Sequence, residues 1–258
     1  MTHLGAIGLN TFREAVRDRV LYNLVFFALL MMGAAVLVGQ ISIGIEQIVI
    51  VSLGLSAISF IGLLMAVFIG VGLVSKEMDK RTIYALLAKP VRRWEFLLGK
   101  FAGLVFTLAV NTLAMSAGLL LALVYVKHTL ERSDTAVLIA IYFILLKLAI
   151  VVALALLFSC STTSLLSILY CAGFYVAGSF VQQMRVLRSD LAGPVAATIM
   201  RWLSYLLPNF ENFNVTGLAA HGEKIPSVLI LQNTLYAALY CAVVLAAAAA
   251  IFSRRNFK

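Results

Sequence analysis

Ser75-Lys76-Glu77-Met78-Asp79-Lys80-Arg81-Thr82-Ile83-Tyr84-Ala85-Leu86-Leu87-Ala88-Lys89-Pro90-Val91-Arg92-Arg93-Trp94-Glu95-Phe96-Leu97-Leu98-Gly99-Lys100 is a charge-dense, amphipathic block set between two long apolar runs. Its surroundings are lipid-soluble: 63% of the 258 residues are hydrophobic and 12% are charged. The mean hydropathy of +1.04 lies far outside the range of a water-soluble domain. Runs of about 20 apolar residues cross a hydrocarbon layer as helices. Moving outward from the block, such runs cover 22–40, 48–74, 101–126, 136–158, 165–183 and 228–252. They are continuous in Leu, Ile, Val, Ala and Phe, without the alternation that separates lipid from lumen in a barrel, so helices cross. The expected fold is an all-α polytopic membrane protein with six transmembrane helices, forming one domain over 1–258. No internal repeat or flexible linker divides it.

Orientation follows from where Lys and Arg fall. With a cytoplasmic N-terminus, thirteen lie on the inner side, from Arg13, Arg17 and Arg19 through the block to Arg254, Arg255 and Lys258. Six lie outside, Lys127, Arg132, Arg185, Arg188, Arg201 and Lys224, so both termini are expected in the cytoplasm. The net charge of +9 therefore reads as membrane orientation and not as nucleic-acid binding. The uncharged turn Ser159-Cys160-Ser161-Thr162-Thr163-Ser164 gives no vote. Two full spans or a re-entrant pair both satisfy the charge rule there, and the run lengths favour two spans. No removable leader is expected, because the first run lacks a small-residue cleavage site and serves as an anchor.

Two amphipathic stretches flank the spans. Before the first, Ile7, Phe12, Val16 and Val20 recur at helical spacing while Asn10, Arg13, Glu14, Arg17 and Asp18 gather elsewhere, the pattern of an interfacial helix. It serves as an anchor to anionic head groups or as a contact for a cytoplasmic partner. Before the last span, Val195, Ile199, Trp202, Leu203 and Leu206 share one face, and Leu207-Pro208-Asn209-Phe210-Glu211-Asn212-Phe213 follows, where proline ends the helix. A short outer interfacial helix is expected, as a connector or as a gate over an exit path.

Enzyme chemistry finds little support. The chain has no phosphate loop, Gly70-Val71-Gly72 lacks the third glycine of a dinucleotide fingerprint, and no catalytic elbow or carboxylate pair appears. His3, His128 and His221 stand apart, and Cys160, Cys171 and Cys241 lie in or beside apolar runs without metal spacing, so no metal site and no catalytic residue is assigned. Gly99 and Gly103 form a small-residue pair at the entry of the third span, suited to packing within the chain or to subunit contact. Lys147 is an ionisable side chain deep within a span, where a central ammonium costs on the order of 3 kcal/mol and needs a polar partner or water. Asn111 lies at matching depth in the third span and Tyr175 is a second candidate partner; Lys147 and Asn111 are the translocation-path candidates. A purely structural hydrogen bond is the competing reading.

The block itself has internal logic. Ile83, Leu86 and Leu87 form an apolar stripe on a short helix ended by Lys89-Pro90, and Val91-Arg92-Arg93-Trp94-Glu95 starts a new helix leading into the third span. The physics leaves a docking elbow and a solvated, positive-inside loop equally open.

Glu77, Arg81-Thr82-Ile83, Leu86-Leu87, Lys89-Pro90, Arg92-Arg93, Glu95-Phe96 and Gly99-Lys100 resemble the cytoplasmic coupling segment of permease subunits in type-2 ATP-binding-cassette (ABC) transporters, the exporter-like class. Thr11-Phe12-Arg13-Glu14-Ala15-Val16-Arg17-Asp18-Arg19 resembles that family's N-terminal interfacial helix, and Leu207-Pro208-Asn209-Phe210 its last outer segment. The chain departs from the pattern at Arg81, where relatives often have glycine, and at Arg92, where they often have a serine cap. The resemblance implies a six-span permease in a bacterial plasma (inner) membrane, working as a homodimer or related heterodimer with two copies of a separate ATPase that binds ATP and Mg. It implies that residues 76–96 meet the ATPase through Glu77, Asp79, Lys80, Arg81, Thr82, Arg92, Arg93 and Glu95, braced by Phe12, Arg13, Glu14 and Arg17. No cofactor is expected in this chain. The alternative is a non-conducting membrane anchor or scaffold for an ATPase.

Overall fold

The computed structural model describes residues 3–42, 44–79, 93–127, 135–183 and 194–254. Its helices are α1 (His3–Val16), α2 (Arg19–Ile41), α3 (Glu46–Asp79), α4 (Arg93–Lys127), α5 (Thr135–Ser161), α6 (Ser164–Ser179), α7 (Pro194–Leu206), α8 (Thr216–Ala220) and α9 (Ser227–Arg254). A 3-10 turn, Phe210–Phe213, lies between α7 and α8. Among the described residues no strand occurs. The all-helical expectation therefore holds.

Among the described residues, five helices are long and apolar enough to cross a membrane, with spans Leu24–Ile41, Glu46–Leu73, Trp94–Val126, Thr135–Ser161 and Ser227–Phe252. The fifth expected run, 165–183, is cut short: α6 ends at Ser179 after 16 residues. At 1.5 Å per residue that is about 24 Å, less than a bilayer core of about 30 Å, and after a one-residue turn at Phe180 the chain is helical again over 181–183. The helix stops where Phe180 turns its N–H onto the Ala177 carbonyl and where Gly178 meets the outer segment. Gly178 permits this approach, because a Cβ there would sit 2.5 Å from the Pro208 carbonyl oxygen. Apolar composition alone does not register such an interruption.

α5 is the central post. Ile150 to Leu156 are all buried to 2% exposure or less, and α3, α4, α6 and α9 all pack on this helix. A helix apolar on every side fits an interior position. α2 and α3 form a hairpin whose turn uses Gly44 at φ 84°, a left-handed conformation that favours glycine. α5 and α6 are joined by Thr162 and Thr163 alone, and the Thr162 and Ser167 hydroxyls bond each other at 2.8 Å. α3, at 34 residues, continues past its apolar part, so the first residues of the charged block extend the same helix to Asp79. α4 starts at Arg93 and runs into its span without a break.

α1 packs lengthwise on the first turns of α4. Its most buried residues are Thr11 and Ala15, both fully buried, while Ile7, Phe12 and Val16 are only half-buried. The contact is a seam of small residues: a Cβ on Gly103 would lie 2.5 Å from the Gly8 carbonyl oxygen and 2.7 Å from the Thr11 Cβ. Helices approach this closely only through small side chains. Gly103 thus serves packing within the chain, and Gly99 joins it, its carbonyl oxygen 3.4 Å from the ideal Cβ position of Gly8.

Candidate functional site

α3, α5 and α6 leave a cavity of about 560 Å³ between them, covered at one end by the segment from Phe210 to Thr216. Each helix offers one face at helical spacing: Ser56, Ser59, Phe60, Leu63 and Val67 from α3, Ala140, Ile144 and Lys147 from α5, and Ile168, Ala172, Tyr175 and Ser179 from α6. Most of the wall is apolar. The charged groups on it are Lys147, near the middle of α5, and Glu211, at the covered end.

Lys147 is 8% exposed, and its ammonium donates to the Ser59 hydroxyl. Among the described residues Ser59 is its one hydrogen-bond partner, which leaves two ammonium protons for water or a ligand. Glu211 is half-buried and accepts a hydrogen bond from the Asn214 side-chain amide at 3.0 Å. Lys147 and Glu211 face the same space without forming an ion pair. Asn111, in contrast, does not line the cavity. Its amide donates to the Thr107 carbonyl at 2.8 Å, one turn back on α4. The two translocation-path candidates are therefore not brought together, while Tyr175 does share the cavity with Lys147.

The cover over the cavity is stitched to α9. The Asn209 backbone N–H donates to the Tyr236 hydroxyl at 2.9 Å, the Asn233 amide donates to the Asn212 carbonyl at 2.8 Å, and the Tyr240 hydroxyl donates to the Leu206 carbonyl at 3.0 Å. Phe210 lies 5.0 Å from the Tyr175 ring, and Phe213 wedges between Phe143 and Tyr236. Sequence reading located this outer segment but missed what holds it. The available signal was Asn233, Tyr236 and Tyr240, at i, i+3 and i+7 on one face of a mostly apolar helix.

Of the residues assigned to a cytoplasmic contact, Lys80, Arg81, Thr82 and Arg92 lie outside the described residues. Glu77 and Asp79 fall on the last turn of α3, and Arg93 and Glu95 on the first turn of α4. On α1, Phe12 packs edge-on against Phe106 at 4.8 Å, which directs it into the seam. Arg13 and Arg17 remain exposed and Glu14 is half-buried. Lys100 was counted among the inner-side charges but is 1% exposed, with its ammonium 5.8 Å from the centre of the Phe96 ring. Phe96 in turn stacks on Phe252 of α9 at 6.1 Å. All three cysteines are buried free thiols.

The described helices form a multi-span bundle around a polar-centred cavity. Residues 6–257 match the family described as ABC-2 family transporter protein, and the chain belongs to that family. No curated protein matches it.

Proposed function

We propose that this chain is the permease of an exporter-type ABC transporter and that the α3–α5–α6 cavity is its substrate site. The observation that carries the reading is Lys147: a buried cation with one of its three donors used, in a cavity of a size that takes small molecules, within a transporter family.

The remaining parts of the reading follow from the charge pattern and the family. α6 completes a sixth crossing together with residues after Ser179, both termini face the cytoplasm of a bacterial inner membrane, and the permease works as a pair with two copies of an ATPase that binds ATP and Mg. Residues 76–96 meet the ATPase through Glu77, Asp79, Lys80, Arg81, Thr82, Arg92, Arg93 and Glu95, with Arg13, Glu14 and Arg17 alongside. Work enters through two long helices, since α3 ends in this segment and α4 begins in it. α1 rides on α4 through the glycine seam, so the brace and the lever move as one body. ATP binding in the partner biases two arrangements of the bundle by differential contact with each.

The test is reconstitution with an ABC ATPase that co-purifies with this chain. Glu77→Ala with Arg81→Ala is expected to lower permease-dependent stimulation of ATP hydrolysis at least fivefold while membrane insertion is unchanged. Stimulation that persists in the double variant, or labelling that puts residues 76–100 on the outer face, contradicts the coupling assignment. ATP-driven movement of cargo into vesicles separates a conducting subunit from a scaffold.

A further inference from the structure

The cavity holds one cation and one carboxylate, set at different depths and within electrostatic reach of each other. Among the described residues its one cation, Lys147, sits at mid-depth with no acid inside ion-pair distance, and its one carboxylate, Glu211, is held by Asn214 at the covered end. The other polar side chains lining the cavity are neutral: Ser56 and Ser59 from α3, Tyr175 and Ser179 from α6, and Asn214 and Thr216 from the outer segment. A buried ammonium is retained at a cost of on the order of 3 kcal/mol, which a counter-ion in a poorly solvated space offsets. Around it stand Phe60, Leu64, Phe68, Ile144 and Val176, a wall on which hydrocarbon packs but a fully hydrated ion gains nothing. An apolar wall with a single deep cation defines its ligand by complementarity.

We propose that the cavity binds an amphiphile carrying an anionic group, a carboxylate or phosphate, with that group on Lys147 and Ser59 and its hydrocarbon part along the α3 and α6 faces. The inference rests on reading the cavity as the substrate site and adds the class of substrate. Ser59 positions the ammonium by accepting one of its protons, and the other two are left for the anion. Glu211 disfavours a second negative charge at the covered end, so singly charged amphiphiles are preferred over those charged at both ends.

The test uses the full chain in nanodiscs of neutral phosphatidylcholine, without any ATPase. The probes are 11-(dansylamino)undecanoic acid and its methyl ester, followed by dansyl fluorescence. The acid is expected to bind about tenfold more tightly than the ester. Lys147→Met is expected to bring the acid down to the ester's affinity, and Lys147→Arg to keep most of the preference. Equal binding of acid and ester to the unaltered chain, or an intact preference in Lys147→Met, overturns the proposal. Should Lys147→Met fail to insert, maleimide labelling of Ser56→Cys decides: protection by the acid and not the ester supports the proposal, and equal protection overturns it. Added phosphatidylglycerol distinguishes the source of the anion. Competition with the probe identifies a lipid head group, and undiminished binding identifies a detachable acid. Acid-selective binding without ATP-driven movement would remove the transport reading alone, and movement of cargo without acid preference would remove this inference alone.

Discussion

Where α1 crosses α4, Gly8 and Gly103 bring two backbones together and leave no space. Where α3, α5 and α6 meet beneath the outer segment, phenylalanines and a lysine stand around about 560 Å³ of open volume. The first region is dry, small-residue and satisfied within itself: the Thr11 and Thr107 hydroxyls bond the Ile7 and Gly103 carbonyls of their own helices and need no water. The second keeps a cation with donors to spare. Tight packing transmits displacement, because a close-packed contact has no slack to absorb it. An open, partly polar space does the opposite and accommodates a guest. The contrast is between a seam able to pass on movement and a space able to hold a guest.

Gly103→Leu attacks the first region most strongly. The new side chain meets the Gly8 backbone, which cannot move aside as a flexible side chain does, so a loss of about 3 kcal/mol is expected. Thermal unfolding in detergent measures it, and ATPase stimulation should fall with it. Unchanged stability and coupling in Gly103→Leu would show that the seam transmits nothing.

The next effect concerns the cover. Tyr236→Phe leaves the Asn209 N–H without its acceptor at a buried position, a cost of about 1–3 kcal/mol. Maleimide labelling of Ser56→Cys in the cavity should speed up as the cover loosens; an unchanged rate would mean that the Phe210 and Phe213 ring contacts hold it alone.

Within the cavity, a pair of variants has opposite signs. Ser59→Ala strips Lys147 of its acceptor and should lower stability by about 1–3 kcal/mol. Lys147→Met removes the desolvated ammonium altogether and should leave the unfolding midpoint unchanged or higher, since buried charges replaced by apolar groups of similar volume often stabilise. Destabilisation by both would mark Lys147 as a structural hydrogen-bond donor and not as a binding group. The smallest effect is Phe12→Leu, which gives up the edge-on ring contact with Phe106 for about 0.5–1.5 kcal/mol. Its coupling should stay close to that of the parent chain.

How much of this was legible depends on the length scale of the signal. Helical class and the long spans show in runs of about 20 apolar residues, which need no partner to be recognised. The end of α6 at Ser179 was not legible, because it depends on Gly178 meeting Pro208 from a later segment of the chain. The tight seam on α1 was not legible for a related reason. Hydrophobic periodicity marks Ile7, Phe12 and Val16, which are half-buried, whereas the closest packing is centred on Thr11 and Ala15, since closeness of approach and not hydrophobicity orders helices already in an apolar setting. Lys147 stood out at once as a misplaced charge, yet its partner Ser59 was one of several scattered hydroxyls with nothing in the local pattern to single it out.

By itself, then, the sequence determined that this chain is a bundle of membrane-crossing helices with a charged segment between the second and third runs, because burial in hydrocarbon demands long uninterrupted apolar stretches and leaves charges mostly at their ends. The tertiary structure alone decided which helix faces meet, where volume is left empty, and that Lys147 opens onto that volume with a single serine beside it. Those properties belong to pairs of residues far apart in the chain, and pairing is set by packing.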